Sequence, residues 1–481
     1  MLATLMKYEW RNLSADRAPL AVALVLGAAI AYGAFNGSGW VRFQRAAIAE
    51  ALSEERERFE RIRAEMPEVE SGRKTVTAFA DPRLPQAFGR NMGTRYAVMP
   101  PAPLGSLAVG QSDLYPYYFR VSTGSKESFL NNDEIENPVH LLAGRFDLAF
   151  VFLYLYPLVI LAFSYNLVSA EKESGTLALT MSQPVSLSRV VLAKVILRAL
   201  FVLALAVVLS VAGVIVGGAN PAGEGVLWRL LLWAGLTATY GAFWFALAIA
   251  VNAMGRSSAT NAMTLAGAWL LLVIVLPSVL NVAVKAAYPV PSRVELIQAI
   301  RVAGDEATRQ GSKLLARYLE DHPELAPPSG GQPAGPPDFG TLLVAVNEAT
   351  ERKVQPVLAG FDAQLANQQR MVERFRFFSP AIVAQAAFND LAGSSAHRYQ
   401  HFLRQVDTFH RQWREFFVPR ILRKEKLSLA DLDKLPAFVF REEATSAVTG
   451  RVSAAFAGLL ILLLLAGIPA IAALRRYPVA G

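Results

Sequence analysis

The chain has 481 residues, of which 53% are hydrophobic and only 18% are charged, whereas a soluble protein carries about 25% charged residues. It contains no cysteine, which excludes disulfides, thiolate metal sites and cysteine catalysis. The net charge of +8 does not predict a nucleic-acid partner, because no basic cluster is interleaved with exposed aromatic residues. The shortage of charge comes from a few long apolar runs, which is typical of membrane spans.

Residues 1–17 precede the first apolar run and predict an amphipathic helix. Apolar and charged side chains alternate there: Leu2, Leu5, Met6 and Leu13 with Lys7, Glu9 and Arg11. A cleaved signal peptide is the alternative interpretation, but the run at 18–35 is longer than a usual signal-peptide core. We therefore predict a retained first span.

Six stretches are long and apolar enough to cross about 30 Å of hydrocarbon at about 1.5 Å per residue. They are residues 18–35, 146–168, 190–216, 230–254, 257–284 and 452–474. Lys194 and Arg198 lie four residues apart on one face of the third stretch, so their stems can reach the near interface. Pro277 in the fifth predicts a kink and a freed backbone carbonyl. The predicted fold class is an all-α polytopic membrane domain with six transmembrane helices.

Positive residues in short loops predict the orientation. Lys172 and Arg189 lie between the second and third spans, and Arg256 between the fourth and fifth, whereas residues 217–226 contain none. We therefore predict that both termini and the loop 169–189 are cytoplasmic. Spans two to five then lie within 146–285, and the sixth span and a cytoplasmic tail within 451–481.

This orientation leaves two long regions outside, residues 36–145 and 286–450. In the first, the charged and apolar pattern of 42–66 predicts an amphipathic helix that continues the first span. After Pro67, runs such as 115–121 predict strands and turns, so this region is expected to be mixed α/β. The second region has helical periodicity at 294–320, 342–378 and 397–426, with a proline-rich linker at 323–337.

The loop between the second and third spans reads Ser-Ala-Glu-Lys-Glu-Ser-Gly-Thr-Leu-Ala-Leu-Thr-Met-Ser-Gln-Pro-Val over residues 169–185. Thr176 can cap a short helix there, and Pro184 can stop it. Leu177, Leu179 and Met181 provide apolar contacts, while Glu171 and Glu173 provide charge. From spacing alone, an ordinary polar loop with two stray carboxylates is the alternative.

The same residues carry a family resemblance. The loop resembles the first cytoplasmic loop of type-2 ABC permeases. In that family the loop reads acidic residue, any residue, Glu, any residue, Gly-Thr-Leu, and is followed by a short helix and a proline. The matching residues are Glu171, Lys172, Glu173, Gly175, Thr176, Leu177 and Pro184, with Lys194 at the start of the next span. The resemblance implies that this loop contacts a separate ATPase, and that residues 1–17 form the connecting helix of such permeases.

The resemblance further implies two copies of a cytoplasmic ATPase, a second permease half (homodimer or paralogue) and a bacterial inner-membrane location with the two long regions periplasmic. No Gly-x-x-x-x-Gly-Lys-Ser/Thr stretch occurs in the chain, so ATP and Mg²⁺ are expected in the partner. Membrane lipid and a periplasmic or outer-membrane protein are further expected partners. Residues 101–104, 110–116, 137–138 and 144–151 are similar to a subgroup with large periplasmic insertions, known mainly as a domain of unknown function.

Polar residues within the spans are candidates for a substrate path or for helix packing. They are Asn166, Thr237, Thr239, Tyr240, Asn252, Asn261 and Thr264. Tyr240, Asn252 and Asn261 are the residues we predict along a path, although packing is the favoured alternative for the whole set.

Metal binding and catalysis are not predicted. His397 and His401 share a helical face, but no nearby glutamate completes a zinc pattern, so they are expected to be surface residues. A membrane-embedded enzyme lacks a candidate catalytic set. The predicted function is ATP-driven export of an amphiphilic, lipid-like or peptide substrate. The alternative is mechanotransmission, in which the ATPase cycle acts on periplasmic partners and no substrate crosses the bilayer.

Overall fold

A computed structural model describes residues 2–15, 17–126, 145–223, 225–290, 293–321 and 339–477. The predicted linker 323–337 and the motif residues Asn137, Pro138 and Gly144 lie outside these ranges. Within them the chain is mostly helical, and six helical stretches are long and apolar enough to cross a membrane. We number these spans 1 to 6: Leu20–Glu70, Leu148–Glu173, Leu187–Val216, Val226–Asn252, Ser258–Ala287 and Thr445–Arg475. The predicted six-span helical fold is confirmed.

The helices and strands follow in chain order. The first half contains α1 (Leu2–Ala15), α2 (Arg17–Glu70), α3 (Pro85–Ala87), a π-helix (Phe88–Met92), β1 (Arg95–Val98), β2 (Tyr118–Val121), α4 (Leu148–Phe150), a π-helix (Val151–Leu155), α5 (Tyr156–Ser164), α6 (Ser169–Glu173), α7 (Thr176–Met181), α8 (Leu187–Val216) and α9 (Val226–Asn252). The second half contains α10 (Ser258–Trp269), a π-helix (Leu270–Val275), α11 (Leu276–Ala287), α12 (Arg293–Arg309), α13 (Gly311–Asp321), α14 (Phe339–Phe375), a 3₁₀-helix (Arg376–Phe378), α15 (Pro380–Ala392), α16 (Ala396–Leu422), a 3₁₀-helix (Leu429–Lys434) and α17 (Thr445–Arg475).

Helix α2 continues without a break from its apolar first half, within the bundle, into the region beyond the bundle, as the pattern of 42–66 predicted. No proline interrupts residues 20–66, and most charged side chains of its outer half are exposed, whereas Glu55 and Arg58 contact the lobe. The helix ends shortly after Pro67, where Gly72 takes a positive φ of 73°, a conformation that glycine adopts without steric cost. Ile62 and Met66 near this end are buried.

These two residues belong to the core of a lobe, which we define as residues 42–126, 293–321, 339–374 and 393–444. The strands β1 and β2 pair antiparallel, with Ala97 opposite Phe119. Aromatic side chains from both long regions fill one common core, which contains Met66, Phe88, Phe119, Val121, Phe402, Trp413 and Phe417. Each region is long enough to form a small core of its own. The structure instead joins them, because neither the outer half of α2 nor α16 can bury its apolar face alone.

The bundle has two distinct ends. At the lobe end, Arg45 Nη1 donates to the carbonyl of Gly217 (3.1 Å), where α8 has just ended. At the other end, which we call the loop end, the backbone N–H of Val168 donates to Asn252 Oδ1 (3.3 Å), the last residue of α9. The loop between spans 2 and 3 and the lobe therefore lie at opposite ends of the bundle.

The motifs at 110–116 and 144–151 meet at the lobe end. Asp147 is buried and caps α4 by accepting from Phe150 N (2.7 Å), and it also accepts from Val109 N (2.7 Å). Arg145 pairs with Asp113 (3.2 Å) and lies over the Trp40 ring. Charge-assisted hydrogen bonds of this kind are stronger than neutral ones. They fix the lobe to the start of span 2 and to α2.

Helix α15 packs within the core of the membrane helices although it lies between two lobe segments. Phe388 is fully buried, and its ring centroid lies 4.4 Å from that of Trp233 in span 4. Ser379, just before the helix, donates to the carbonyl of Leu272 in span 5 (2.6 Å). Sequence analysis predicted no helix over this stretch. Its run of small and apolar residues is short, so periodicity alone gives a weak signal.

One histidine is buried in the lobe. His410 is 5% exposed, and its Nε2 lies 2.9 Å from the carbonyl of Gly124. Burial lowers the pKa of His410 from 6.5 to about 4, because the charged imidazolium is poorly solvated there. The folded lobe therefore holds this side chain neutral at pH values where the unfolded chain binds a proton.

We expect the apparent melting temperature of the purified protein to fall between pH 6.5 and about pH 4, the window between the two pKa values of His410. Because the pKa of His410 is lower in the folded than in the unfolded state, the free energy of unfolding is highest above pH 6.5 and falls on acidification. The total loss below pH 4 is on the order of 3 kcal/mol. His410→Gln should flatten this part of the profile. Identical pH profiles of melting temperature for both proteins would contradict the assignment.

Candidate functional site: the loop between spans 2 and 3

The loop at 169–189 consists of two short helices joined by a tight turn. Helix α6 continues span 2 and ends at Glu173, and α7 begins at Thr176. Gly175 between them has a φ of 70°, and a Cβ added there would meet nothing within 4 Å. The turn therefore requires glycine for its backbone conformation and not for space.

Glu171 is held by the beginning of span 3. Its Oε1 accepts from Lys194 Nζ at 2.8 Å, and the same ammonium donates to the carbonyl of Leu167 at 3.0 Å. Both side chains are largely buried, with 25% and 12% of their surfaces exposed. A partly buried pair that also satisfies a backbone carbonyl fixes geometry better than an exposed pair. This contact ties the loop to span 3.

Glu173 is held by the beginning of span 5. Its two carboxylate oxygens accept from the backbone N–H (2.6 Å) and the hydroxyl (2.8 Å) of Ser258, the first residue of α10. A carboxylate at a helix N-terminus satisfies an orphan donor and interacts favourably with the helix dipole. Lys172 adds a long contact to the carbonyl of Gly255 (3.5 Å).

The two carboxylates therefore bind within the chain. The sequence pattern assigned them charge without identifying their partners, and the partner of Glu173, Ser258, lies 85 residues away.

The apolar residues of α7 separate into one buried and one exposed side chain. Leu177 is 4% exposed and packs in a small cluster with Leu167, Val168, Leu187, Val191, Leu474 and Tyr477. Leu179 is 71% exposed. The cluster joins the loop to the ends of spans 2, 3 and 6. The remaining exposed surface of the loop, which includes Ser182 and Pro184, faces away from the bundle together with Leu179.

Thr176 does not cap α7, which corrects the sequence interpretation. The position before α7 is Gly175, and no side chain caps that end. Thr176 Oγ1 instead lies 3.3 Å from the carbonyl of Glu171 and 2.8 Å from Ser174 Oγ. Its hydroxyl therefore closes the end of α6, and the N-cap position of α7 is occupied by glycine, which has no side chain to cap the helix. Pro184 follows the end of α7 at Met181, where a helix stop was predicted.

A second ion pair on the same face of span 3 was missed by sequence reasoning. Arg198 Nε donates to Glu9 Oε1 in α1 at 2.9 Å, and Arg198 Nη1 donates to the carbonyl of Phe163. Glu9 is only 6% exposed. The available signal was the cation itself, since an arginine in an apolar helix needs an anion. The pair attaches α1 to the bundle one helical turn from Lys194.

The residues predicted along a substrate path are buried between helices. Tyr240 is fully buried and donates to the carbonyl of Leu153 (3.0 Å). Asn252 donates to the carbonyls of Ser164 and Ala248 (2.9 Å each) and lies 3.4 Å from Asn261, which is also fully buried. These contacts are those expected of the packing alternative.

The geometry defines a polytopic helical membrane protein with an anchored loop at the end opposite its lobe. Residues 132–278 match the model of the ABC-2 family transporter proteins, and residues 293–441 match a domain of unknown function (DUF3526). No curated protein matches the chain. The first match and the six apolar helices fit a type-2 ABC permease, as the loop pattern predicted. This similarity supports a membrane permease subunit of an ABC transporter, a class of subunit that is generally non-catalytic and works with an ATPase.

Leu177 and Leu179 provide a matched pair for testing the loop geometry. Leu177→Ala should lower the free energy of unfolding by about 2–4 kcal/mol, because it leaves a cavity in the cluster at the loop end. Leu179→Ala should change it by less than about 0.5 kcal/mol, because that side chain is exposed. Thermal unfolding of the two purified variants measures the difference. Equal losses would show that the loop packs differently.

Proposed function

We propose that the chain is the permease subunit of a bacterial inner-membrane transporter that couples ATP hydrolysis by two copies of a separate ATPase to export of an amphiphilic, lipid-like or peptide substrate. The observation that carries this proposal is the attachment of the loop at 169–189 to two different spans. Glu171 joins it to span 3 through Lys194, and Glu173 joins it to span 5 through Ser258. Pushing the exposed side of the loop would therefore move both spans.

The exposure of each side chain in the loop indicates its role. The exposed side chains around Leu179 are available to a groove of the ATPase, whereas Leu177 and the two carboxylates hold the loop to the bundle. A lever of this kind needs no catalytic group of its own. ATP and Mg²⁺ bind to the ATPase, because the chain lacks a Gly-x-x-x-x-Gly-Lys-Ser/Thr stretch.

A second permease half completes the transporter in this proposal. Span 5 is the least covered of the six, with only 11% of its most apolar window buried within the chain. Exposed apolar residues follow its length, including Met263, Leu271, Val279 and Val282. Such a surface suits contact with lipid and with the second half, a homodimer partner or a paralogue. A route between the two halves would also keep a lipid-like substrate beside apolar walls.

Mechanotransmission is the second candidate, and the connection between lobe and bundle favours it. Helix α2 runs as one rod from span 1 into the lobe core, and α15 packs among spans 4, 5 and 6. Movement of the bundle would therefore reach a periplasmic lobe and any periplasmic or outer-membrane partner bound to it. In reconstituted vesicles, ATP-dependent movement of a labelled lipid favours export, while ATP-dependent change in the lobe without such movement favours mechanotransmission.

The coupling role predicts that Glu171→Lys combined with Glu173→Lys lowers permease-stimulated ATPase activity by about tenfold, the equivalent of about 1.4 kcal/mol. The lysine at position 171 repels Lys194, and the lysine at position 173 cannot accept the hydrogen bonds from Ser258. The loop therefore loses both attachments. Glu171→Lys with Lys194→Glu should recover most of the activity lost by Glu171→Lys alone, because the pair is restored with opposite polarity. Unchanged co-purification and unchanged stimulated ATPase activity in correctly inserted variants would remove the assignment.

The proposed orientation is testable because the chain has no native cysteine. Val439 in the lobe is 74% exposed, and Ser182 in the loop is also exposed. An impermeant maleimide should label Val439→Cys in cells whose inner membrane is intact, and should label Ser182→Cys only after that membrane is opened. The reverse labelling pattern would place the loop on the outer side, away from any cytoplasmic ATPase.

A further inference from the structure

The middle of span 5 contains a backbone carbonyl that its own helix does not satisfy. The π-helix Leu270–Val275 ends where Leu276 N–H bonds to the carbonyl of Leu271, five residues back. In this register the carbonyl of Leu272 faces Pro277, which has no N–H to donate. An unpartnered carbonyl among apolar side chains is costly. The span therefore needs a donor from elsewhere.

That donor comes from the stretch that leads into α15. Ser379 is 1% exposed, and its Oγ donates to the carbonyl of Leu272 at 2.6 Å. Leu272 is 14 residues from Ser258 and 15 residues from Ala287, the two ends of span 5. At about 1.5 Å per residue, this contact lies about 20 Å from either end. Residues 375–392 thus reach the middle of the bundle from the lobe end.

The rest of this segment is fitted to the spans around it. Phe377 packs against Gly458 of span 6, where a Cβ would collide with its ring. Phe388 packs on Trp233 of span 4, and the carbonyl of Leu391 accepts from Arg229 Nη1 (3.1 Å). Together with Ser379, these contacts join one segment to three spans.

Arg451 closes the far end of α15. It pairs with Asp390 (3.1 Å) near the end of that helix and with Glu443 (2.8 Å) in the lobe. The same guanidinium lies at the start of span 6, so the lobe, α15 and the span share one charged junction. The segment is therefore anchored at its lobe side as well as in the bundle.

We propose that Ser379 is a positioning residue that makes the π-helical turn of span 5 conditional on docking of residues 375–392. While the segment is docked, the serine hydroxyl replaces the donor that Pro277 lacks. When the segment leaves, the Leu272 carbonyl loses its partner and the turn loses its stabilisation. Movement of the lobe and rearrangement of span 5 are thereby linked, whether or not the loop at 169–189 contacts an ATPase.

Span 2 offers a matched control for this chemistry. Its π-helix Val151–Leu155 also precedes a proline, Pro157, and the carbonyl of Leu153 in this π-helix accepts a hydrogen bond from a side chain of another span. The donor there is Tyr240 in span 4. Tyr240→Phe therefore removes the same kind of hydrogen bond without touching residues 375–392.

Docking can be measured with a single reporter cysteine, Ala387→Cys, at a position in α15 that is 2% exposed. In purified protein, Ser379→Ala should raise the rate of maleimide labelling at this cysteine about tenfold, the effect of losing one buried hydrogen bond. Ser379→Thr should leave the rate near that of the parent, because it retains the hydroxyl. Tyr240→Phe should lower the melting temperature without raising the labelling rate.

Pro277→Ala gives the decisive combination. It provides an N–H at the position that faces Leu272, so docking of Ser379 matters less and the labelling rate should rise with this change alone. Adding Ser379→Ala should raise the rate no further, and Pro277→Ala should restore the melting temperature that Ser379→Ala loses. If Ser379→Ala alone does not fold, its folding in the Pro277→Ala background supports the proposal, and failure there overturns it. The proposal would also be overturned if Ser379→Ala left the labelling rate unchanged. It would likewise be overturned if the increases in labelling rate caused by Ser379→Ala and Pro277→Ala multiplied in the double variant.

Discussion

The fold depends on the requirement that a charge on an apolar helix be paired. Lys194 and Arg198 lie one turn apart on the same face of span 3, and each finds a carboxylate from a different element. Lys194 takes Glu171 of the loop, and Arg198 takes Glu9 of α1. Leaving either cation unpaired would cost several kcal/mol. The two ion pairs therefore fix α1 and the loop at 169–189 to span 3 at the loop end of the bundle.

The six spans were predictable because hydropathy is a property of local composition, and the continuation of α2 was predictable because no proline interrupts it. The partners of the polar groups were not predictable. Lys194 and Arg198 require anions, but nothing in the sequence separates Glu9 from the many other glutamates. Pro277 implied a freed carbonyl, yet its donor Ser379 lies 107 residues from Leu272. Sequence reasoning directed the two cations to the membrane interface and gave the freed carbonyl no donor, whereas the tertiary structure supplies a partner for each within the chain.

The loop shows the same limit in its functional residues. The pattern at 169–185 located the loop and included Gly175, which in the structure takes the left-handed conformation that glycine favours. It did not assign a direction to Glu171 and Glu173, because a carboxylate in a polar loop serves equally well for an external or an internal partner. Their internal contacts move the expected recognition surface to the exposed side chains around Leu179. In the proposed coupling role, the carboxylates would hold the loop rigidly to the bundle, and the exposed surface would contact the ATPase.

Spans 2 and 5 solve the same problem with donors of different origin, and this difference bears on mechanism. Each contains a π-helical turn before a proline and a carbonyl that a distant side chain satisfies. In span 2 the donor, Tyr240, belongs to the bundle, so the turn is complete whenever the spans are packed. In span 5 the donor, Ser379, belongs to a segment continuous with the lobe, so completion depends on an element outside the spans. Span 5 also receives Glu173 of the loop at its other end. Its beginning is therefore held by the loop and its middle by the lobe segment, which makes span 5 a direct physical connection between the two ends of the molecule.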